Sequence, residues 1–137
     1  MIKFKPINEF SVISSSSFSG FKEIINFFYV RIYLIIIIGL NLFLWLVSYL
    51  IKINVSQELI ILHYNIDFGV DLIGSVNKIY IIPLLSLIIL IINVILISNL
   101  VKHKFFKFIT HLLLAACIMV DLFLLISLAS IYLINFR

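Results

Sequence analysis

Charged residues are scarce in this sequence, and three long stretches contain almost none. They make up 12% of the 137 residues, against about 25% in typical soluble domains. Residues 32–51 and 79–101 have no charged side chain, and residues 108–136 have only Asp121. Each stretch is at least as long as the roughly 20 residues with which an α-helix crosses a bilayer. The composition therefore excludes an ordinary soluble domain and predicts three transmembrane helices.

Cysteine is nearly missing, and so are the common catalytic motifs. Cys117 is the single cysteine, so no disulfide bond can form within the chain. The sequence contains no P-loop, GxGxxG, CxxC or HExxH motif, and its scattered serines have no paired base. An enzyme needs its nucleophile, base and stabilising groups held together. We therefore expect a protein that is not an enzyme, with no cofactor and no metal ion.

The net charge of +4 does not indicate nucleic-acid binding, because the cations lie at the ends of the apolar stretches, where lipid headgroups are. With three crossings, seven cations lie on one side of the membrane: Lys3, Lys5, Lys22, Arg31, Lys102, Lys104 and Lys107. Three lie on the other side: Lys52, Lys78 and Arg137. The positive-inside rule therefore predicts a cytoplasmic N-terminus and an outside C-terminus. Frequent Ile, Asn and Lys are typical of a biased bacterial genome, so we expect a bacterial cytoplasmic membrane.

The chain divides into a tail and a membrane domain. Residues 1–31 are predicted to be a cytoplasmic tail, whose residues 20–31 form either a helix at the membrane interface or an extension of the first span. Residues 32–137 are predicted to form the membrane domain. Its spans are expected at 32–51, 79–101 and 108–134. The connection 102–107 is so short that the second and third helices must be antiparallel neighbours.

The other connection, residues 52–78, gathers polar residues in a sequence that is otherwise mostly Ile, Leu and Phe. Connections of this length tend to be functional or disordered. Its first part, ELIILHYNI, is rich in β-branched and aromatic residues and predicts a short strand. Its second part, DFGVDLIGS, places Asp and Gly among apolar residues and predicts successive tight turns on the membrane surface. The predicted fold class is an all-α membrane protein with three transmembrane helices and a turn-rich extracytoplasmic cap between helices 1 and 2.

The polar residues of this connection follow a recognisable spacing. The pattern comprises His63, Asn65, Gly69, Asp71, Gly74 and Ser75, followed by a helix with an early Pro83. Over residues 32–100 it resembles a bacterial membrane domain found at the N-terminus of Sdp-type immunity proteins, which protect producing cells from a secreted toxic peptide. The present sequence has Ile73 where that domain usually has tryptophan. The resemblance implies a loop that recognises a peptide.

Six residues of the loop are the candidate binding site: His63, Asn65, Asp67, Gly69, Asp71 and Gly74. His63, Asp67 and Asp71 are residue types that bind metals, but their four-residue spacing aligns them only on a helix, which Gly69 disfavours. We expect them to hydrogen-bond the loop to itself and to the helix ends. The alternatives are a metal site and a histidine pH switch.

Each predicted helix also carries one buried polar candidate: Asn41, Asn93 and Asp121. An acid at mid-membrane costs about 2.5–3.5 kcal/mol on insertion scales, so such residues usually face protein or water. We expect the three side chains to form a hydrogen-bond cluster between the helices. The alternatives are an acid that serves a proton or substrate route, and an acid paired with a cation of another subunit.

Three functions are consistent with these patterns. The first is an accessory or immunity-like protein whose outer loop binds a peptide or partner protein. The second is a structural subunit of a larger membrane complex, and the third is an ion- or proton-coupled transport component. The expected partners are the lipid bilayer, a peptide ligand, and a membrane protein or second copy of this chain.

Overall fold

The computed structural model describes residues 20–55, 57–65, 67 and 69–136. Three helices are long and apolar enough to cross a membrane. They are α1 (Phe28–Asn54), α2 (Ile81–Asn99) and α3 (Phe106–Asn135). The prediction of three such helices is confirmed, and α1 extends beyond the predicted span 32–51 at both ends. By the length and composition of these helices, the architecture is compatible with an integral membrane protein.

The helical conformation of these segments follows from the hydrocarbon environment that their apolar side chains favour. In hydrocarbon every backbone N–H and C=O must find an internal partner, so even Ile-rich stretches become helical. Large apolar side chains cover the outward faces of the bundle, among them Ile35, Leu42, Ile91, Phe123 and Ile126. A soluble protein rarely exposes so continuous an apolar surface. The bundle therefore presents a surface suited to lipid.

Two apolar clusters and one polar layer make up the interior of the bundle. The cluster near the short connection contains Ile24, Val30, Ile37, Leu90, Ile97, Phe106, Leu114 and Cys117. The cluster at the opposite end contains Leu44, Ile51, Ile60, Ile79, Leu128 and Ile131. Along all three helices, the buried polar residues Asn41, Ser86 and Asp121 fall between the two clusters. We call these three residues the polar layer.

The long connection folds as a β-hairpin. Strand β1 (Leu59–Asn65) pairs antiparallel with β2 (Gly69–Ser75), and a 3₁₀-helix (Val76–Tyr80) leads into α2. The strand predicted from ELIILHYNI is present. Of the residues 67–75 that were predicted to form tight turns, Asp67 lies in a turn but residues 69–75 form β2, so the chain is not purely α-helical. Pairing with β1 overrides the local turn preference of Gly and Asp, and among the described residues only Gly69 has a positive φ, of 79°.

The end of the bundle that carries the short connection is closed by the segment before α1. Residues 20–25 form a separate helical segment. Hydrogen bonds from Asn26 N to Glu23 O and from Phe27 N to Ile24 O, both 3.2 Å, turn the chain into α1. Ile24 is buried in the neighbouring apolar cluster. The segment is thus not a continuation of the first transmembrane helix; the rest of the predicted tail, residues 1–19, lies outside the described residues.

Candidate functional site

The hairpin is fixed to the bundle by a side chain of α3. The amide oxygen of Asn135 accepts a hydrogen bond from Ile61 N at 2.9 Å, and Asn135 Nδ2 donates to Ile61 O at 2.8 Å. Nδ2 also donates to Ile131 O at 2.8 Å, within α3. In addition, Ile60 of β1 is buried in the apolar cluster at this end. The hairpin is therefore held by both polar and apolar contacts.

His63 and Asp71 face each other across the two strands. Their Nδ1 and Oδ1 atoms are 2.7 Å apart, and both side chains are exposed, at 62% and 43%. The strand register shifts on either side of His63, where Ile61 pairs with Ile73 and Tyr64 pairs with Val70. Such irregularities re-aim side chains. They bring these two polar groups together on an exposed part of the hairpin.

The other predicted loop residues shape the hairpin. Gly69 starts β2 at its positive φ. A Cβ on Gly74 would lie 2.7 Å from Leu62 Cδ1 and 2.9 Å from Lys78 Cδ, so the hairpin uses a residue without a side chain there. Asp67 lies in the turn between the strands. Asn65 pairs with Gly69 at the end of β1, while its side chain lies outside the described residues.

A cavity of about 240 Å³ lies between part of the hairpin and α3. Its lining residues are Leu62, His63, Tyr64, Ser127, Ser130, Ile131 and Ile134. The hydroxyl of Ser130 donates to Ile126 O at 2.9 Å, and within the described part of the chain no hydrogen bond links His63 to Ser127 or Ser130. Nor do the described residues include three His, Cys, Asp or Glu side chains that could hold a metal together. The arrangement offers polar contacts for binding.

Strand β2 offers its backbone as well as its side chains. Since the N–H and C=O of Ile61 point to Asn135, Ile61 and Ile73 form a non-hydrogen-bonded pair. The N–H and C=O of Ile73 therefore point away from β1. Among the described residues β2 pairs with β1 alone. Val70, Leu72 and Ile73 are all exposed.

The polar layer links all three helices at mid-depth. Asn41 Nδ2 donates to Pro83 O at 3.1 Å and to Ser86 Oγ at 2.8 Å. Ser86 Oγ in turn donates to Asp121 Oδ1 at 2.5 Å. The second carboxyl oxygen, Oδ2 of Asp121, has no hydrogen-bond partner among the described residues. Because Asp121 is only 2% exposed, its carboxyl group faces the inside of the bundle.

The structure brings Asn41 and Asp121 together through Ser86, and it leaves Asn93 outside the cluster. Asn93 Nδ2 donates to Ile89 O of its own helix at 2.9 Å. At 1.5 Å rise per residue, Asn93 lies about 10 Å further along α2 than Ser86. Sequence reasoning selected Asn93 for its amide and missed Ser86. Depth along the helix gave no signal for Ser86, because the middle of α2 lies near residue 90 and Ser86 and Asn93 are about equally far from it.

Comparisons of this chain with protein-family models, with curated proteins and with solved structures find no match. The resemblance to the domain of Sdp-type immunity proteins therefore stays a prediction. Fold and site together define the class: a three-helix membrane protein with a β-hairpin fixed on one end of its bundle.

Proposed function

We propose that this protein is a non-enzymatic accessory or immunity-like membrane protein, which binds a peptide or partner protein through its β-hairpin outside the cytoplasm. The observation that supports the proposal most directly is the combination of a fixed hairpin with an exposed β2. The strand leaves apolar side chains and the backbone of Ile73 open. The His63–Asp71 pair supplies a polar contact beside them.

Fixation of the hairpin favours binding because a pre-ordered site loses less conformational entropy when it meets its partner. Asn135 holds the backbone of Ile61, and Ile60 is anchored in the apolar cluster. Ile79 of the following 3₁₀-helix is buried in the same cluster. The hairpin is thus connected to the bundle at β1 and again just after β2.

An extended peptide is the ligand that such an edge receives. In strand addition, main-chain hydrogen bonds give affinity, and contacts with alternate side chains give specificity. Ile73 N–H and C=O would pair with the incoming strand, while Val70 and Leu72 would contact its side chains. This mode accommodates either a free peptide or an extended segment of a larger partner.

The distribution of lysines is the argument for the side of the membrane on which the hairpin lies. Lys102, Lys104 and Lys107 lie at the end of the bundle opposite the hairpin, next to the short connection. Short loops rich in lysine stay in the cytoplasm. We therefore propose that the hairpin faces the other side.

A role as a structural subunit is the second candidate. The sequence suggested this role through Asp121, as an acid that could pair with another subunit. In the structure the Asp121 carboxyl group accepts a hydrogen bond from Ser86 of the same chain. A different feature favours it: an apolar groove of about 520 Å³ between α1 and α3 near the hairpin. Its walls include Leu50 and Leu133, which a helix of a neighbouring membrane protein could contact.

Photo-crosslinking in cells of the source organism tests the proposal. A photoreactive amino acid replaces Leu72 on β2, or Phe123 on the outward face of α3 as a matched exposed control. The proposal expects a discrete adduct from position 72 that weakens in the Asp71→Asn variant, and none from position 123. Adducts from both positions would favour the subunit role. No adduct from position 72 in cells that contain the inserted protein would contradict hairpin binding.

A further inference from the structure

The end of the bundle opposite the hairpin carries a groove with a basic rim and an aromatic floor. It has a volume of about 420 Å³ and is lined by Lys104, Phe105, Lys107, Phe108 and His111. Phe105 and Phe108 expose 59% and 69% of their surface, although both are large and apolar. A groove that combines cations with exposed rings suits a ligand that is both anionic and apolar.

The charge around the groove is predominantly positive. Lys102, Lys104 and Lys107 are exposed there. Residues 76–120, which include all of α2 and the first half of α3, contain no acidic residue. At the hairpin end, by contrast, Lys52 and Lys78 share the surface with Glu58, Asp67 and Asp71. Among the described residues, Glu23 in the segment before α1 is the one acid at this end of the bundle, so the lysines outnumber it and attract an anion to the groove.

The connection that presents these lysines is an ordered turn. His103 N donates to Leu100 O at 2.8 Å, and Phe106 N donates to His103 O at 3.0 Å. Phe105 N donates to the Nδ1 atom of His103 at 3.2 Å. Lys104 Nζ lies 5.7 Å from the ring centre of Phe105. The turn thus holds one lysine directly over the aromatic floor.

His111 forms the wall of the groove on the bundle side. Its ring stacks on Tyr29 with 4.6 Å between ring centres, and its Nδ1 lies 3.4 Å from the hydroxyl of Tyr33. These contacts with α1 fix the orientation of the imidazole. The groove is therefore bounded on one side by the exposed turn and on the other by packed helices.

We propose that this groove binds the headgroup of an anionic phospholipid. The phosphate lies between Lys104 and Lys107, and the glycerol and upper acyl chains lie on Phe105 and Phe108. A lipid is chosen over free phosphate because the groove lies at the beginning of α3, a helix long and apolar enough to cross a membrane, and because its exposed rings contribute nothing to binding inorganic phosphate. Basic pockets beside transmembrane helices are known to select anionic headgroups.

Native mass spectrometry of the full chain, with equal amounts of phosphatidylglycerol and phosphatidylcholine, tests the proposal. The double variant K104Q/K107Q removes both charges from the groove. The matched control K52Q/K78Q removes two charges from the hairpin end. Each lysine near the membrane surface contributes about 1 kcal/mol of attraction, which for two lysines corresponds to about thirtyfold, so K104Q/K107Q should lose about that factor in phosphatidylglycerol retention. The control should retain the lipid.

Three outcomes would overturn the proposal. One is equal retention of the two lipids by the unaltered chain, and another is an equal loss in both double variants. The third is displacement of the lipid by inorganic phosphate at concentrations where sodium chloride of the same ionic strength has no effect. A Phe108→Ser variant adds a further test: it should weaken lipid retention although every lysine remains.

Discussion

Asn135 pairs with the backbone of Ile61 as a neighbouring β-strand would. Its carboxamide accepts from Ile61 N at 2.9 Å and donates to Ile61 O at 2.8 Å. An edge strand normally leaves such groups to water or to another chain. Here a single side chain on the last turn of α3 occupies that edge of β1, which leaves β2 as the edge open to a partner.

Replacement of Asn135 should loosen the hairpin without unfolding the helices. In Asn135→Ala, Ile61 loses a donor and an acceptor partner, a loss of about 1–3 kcal/mol where water cannot replace them. Hydrogen exchange followed by mass spectrometry should show faster exchange over residues 59–75 and unchanged exchange in the middle of α3. In Asn135→Asp, which can still accept from Ile61 N, the effect should be smaller. Unchanged protection of the hairpin in Asn135→Ala would show that the apolar contact of Ile60 suffices.

Ser86 should matter more to stability than the more polar Asn93. Ser86→Ala leaves Asn41 with one acceptor fewer and leaves Asp121 Oδ1 without a donor. Because hydrogen bonds between membrane helices contribute about 1 kcal/mol each, we expect a loss of about 1–2 kcal/mol. Asn93→Ala removes only a bond to its own helix and should change stability by less than about 0.5 kcal/mol. Unfolding in mixed micelles measures both; a larger loss in Asn93→Ala would refute the assignment.

Asp121→Asn separates a structural acid from a functional one. Asparagine keeps an oxygen that can accept from Ser86, and its amide group cannot ionise. If the polar layer only joins the helices, the variant should insert, fold and give the same position-72 crosslink as the unaltered chain. A coupled transport role instead predicts a pH-dependent flux in proteoliposomes that this variant abolishes. If that flux is observed, the polar layer and not the hairpin is the main functional site.

Two glycines in helical segments should respond oppositely to alanine. A Cβ on Gly20 would collide with the backbone carbonyl of Ser98, which cannot move independently of α2. Overpacking of this kind costs about 1–3 kcal/mol, so Gly20→Ala should be destabilising. Gly39 has no atom within 4 Å of the added Cβ, so Gly39→Ala should be neutral or slightly stabilising. Measurement of both unfolding free energies under one condition checks the pair, and equal values would contradict the close packing of Gly20.

The sequence predicts the parts of this fold that depend on composition and misses those that depend on tertiary pairing. Three uncharged or nearly uncharged stretches predict α1, α2 and α3, because in lipid only a helix satisfies so long an apolar backbone. β1 was predicted from its own β-branched residues. Its partner β2 contains Gly69, Asp71 and Gly74, which locally favour turns, and it becomes a strand only because β1 lies beside it.

In the candidate site, too, the sequence indicates residue types but not the contacts that depend on tertiary pairing. His63 and Asp71 were selected as polar residues of the loop, but their contact depends on the register shifts of the hairpin. Asn135 was not selected, because nothing near it in sequence indicates that it meets Ile61, 74 positions away. Ser86 was overlooked because serine is common in apolar helices, and its position along α2 does not distinguish it from Asn93.

The close contact between Gly20 and Ser98 means that α1 and α2 are connected at both of their ends. α1 and α2 are joined at one end by the covalent chain through the hairpin, and at the other end the segment before α1 lies against the last turn of α2. Separation of α1 from α2 at the end opposite the hairpin would break this contact. A movement of the hairpin that displaced α1 relative to α2 would therefore also disturb the packing at the end where the lysine-rimmed groove lies.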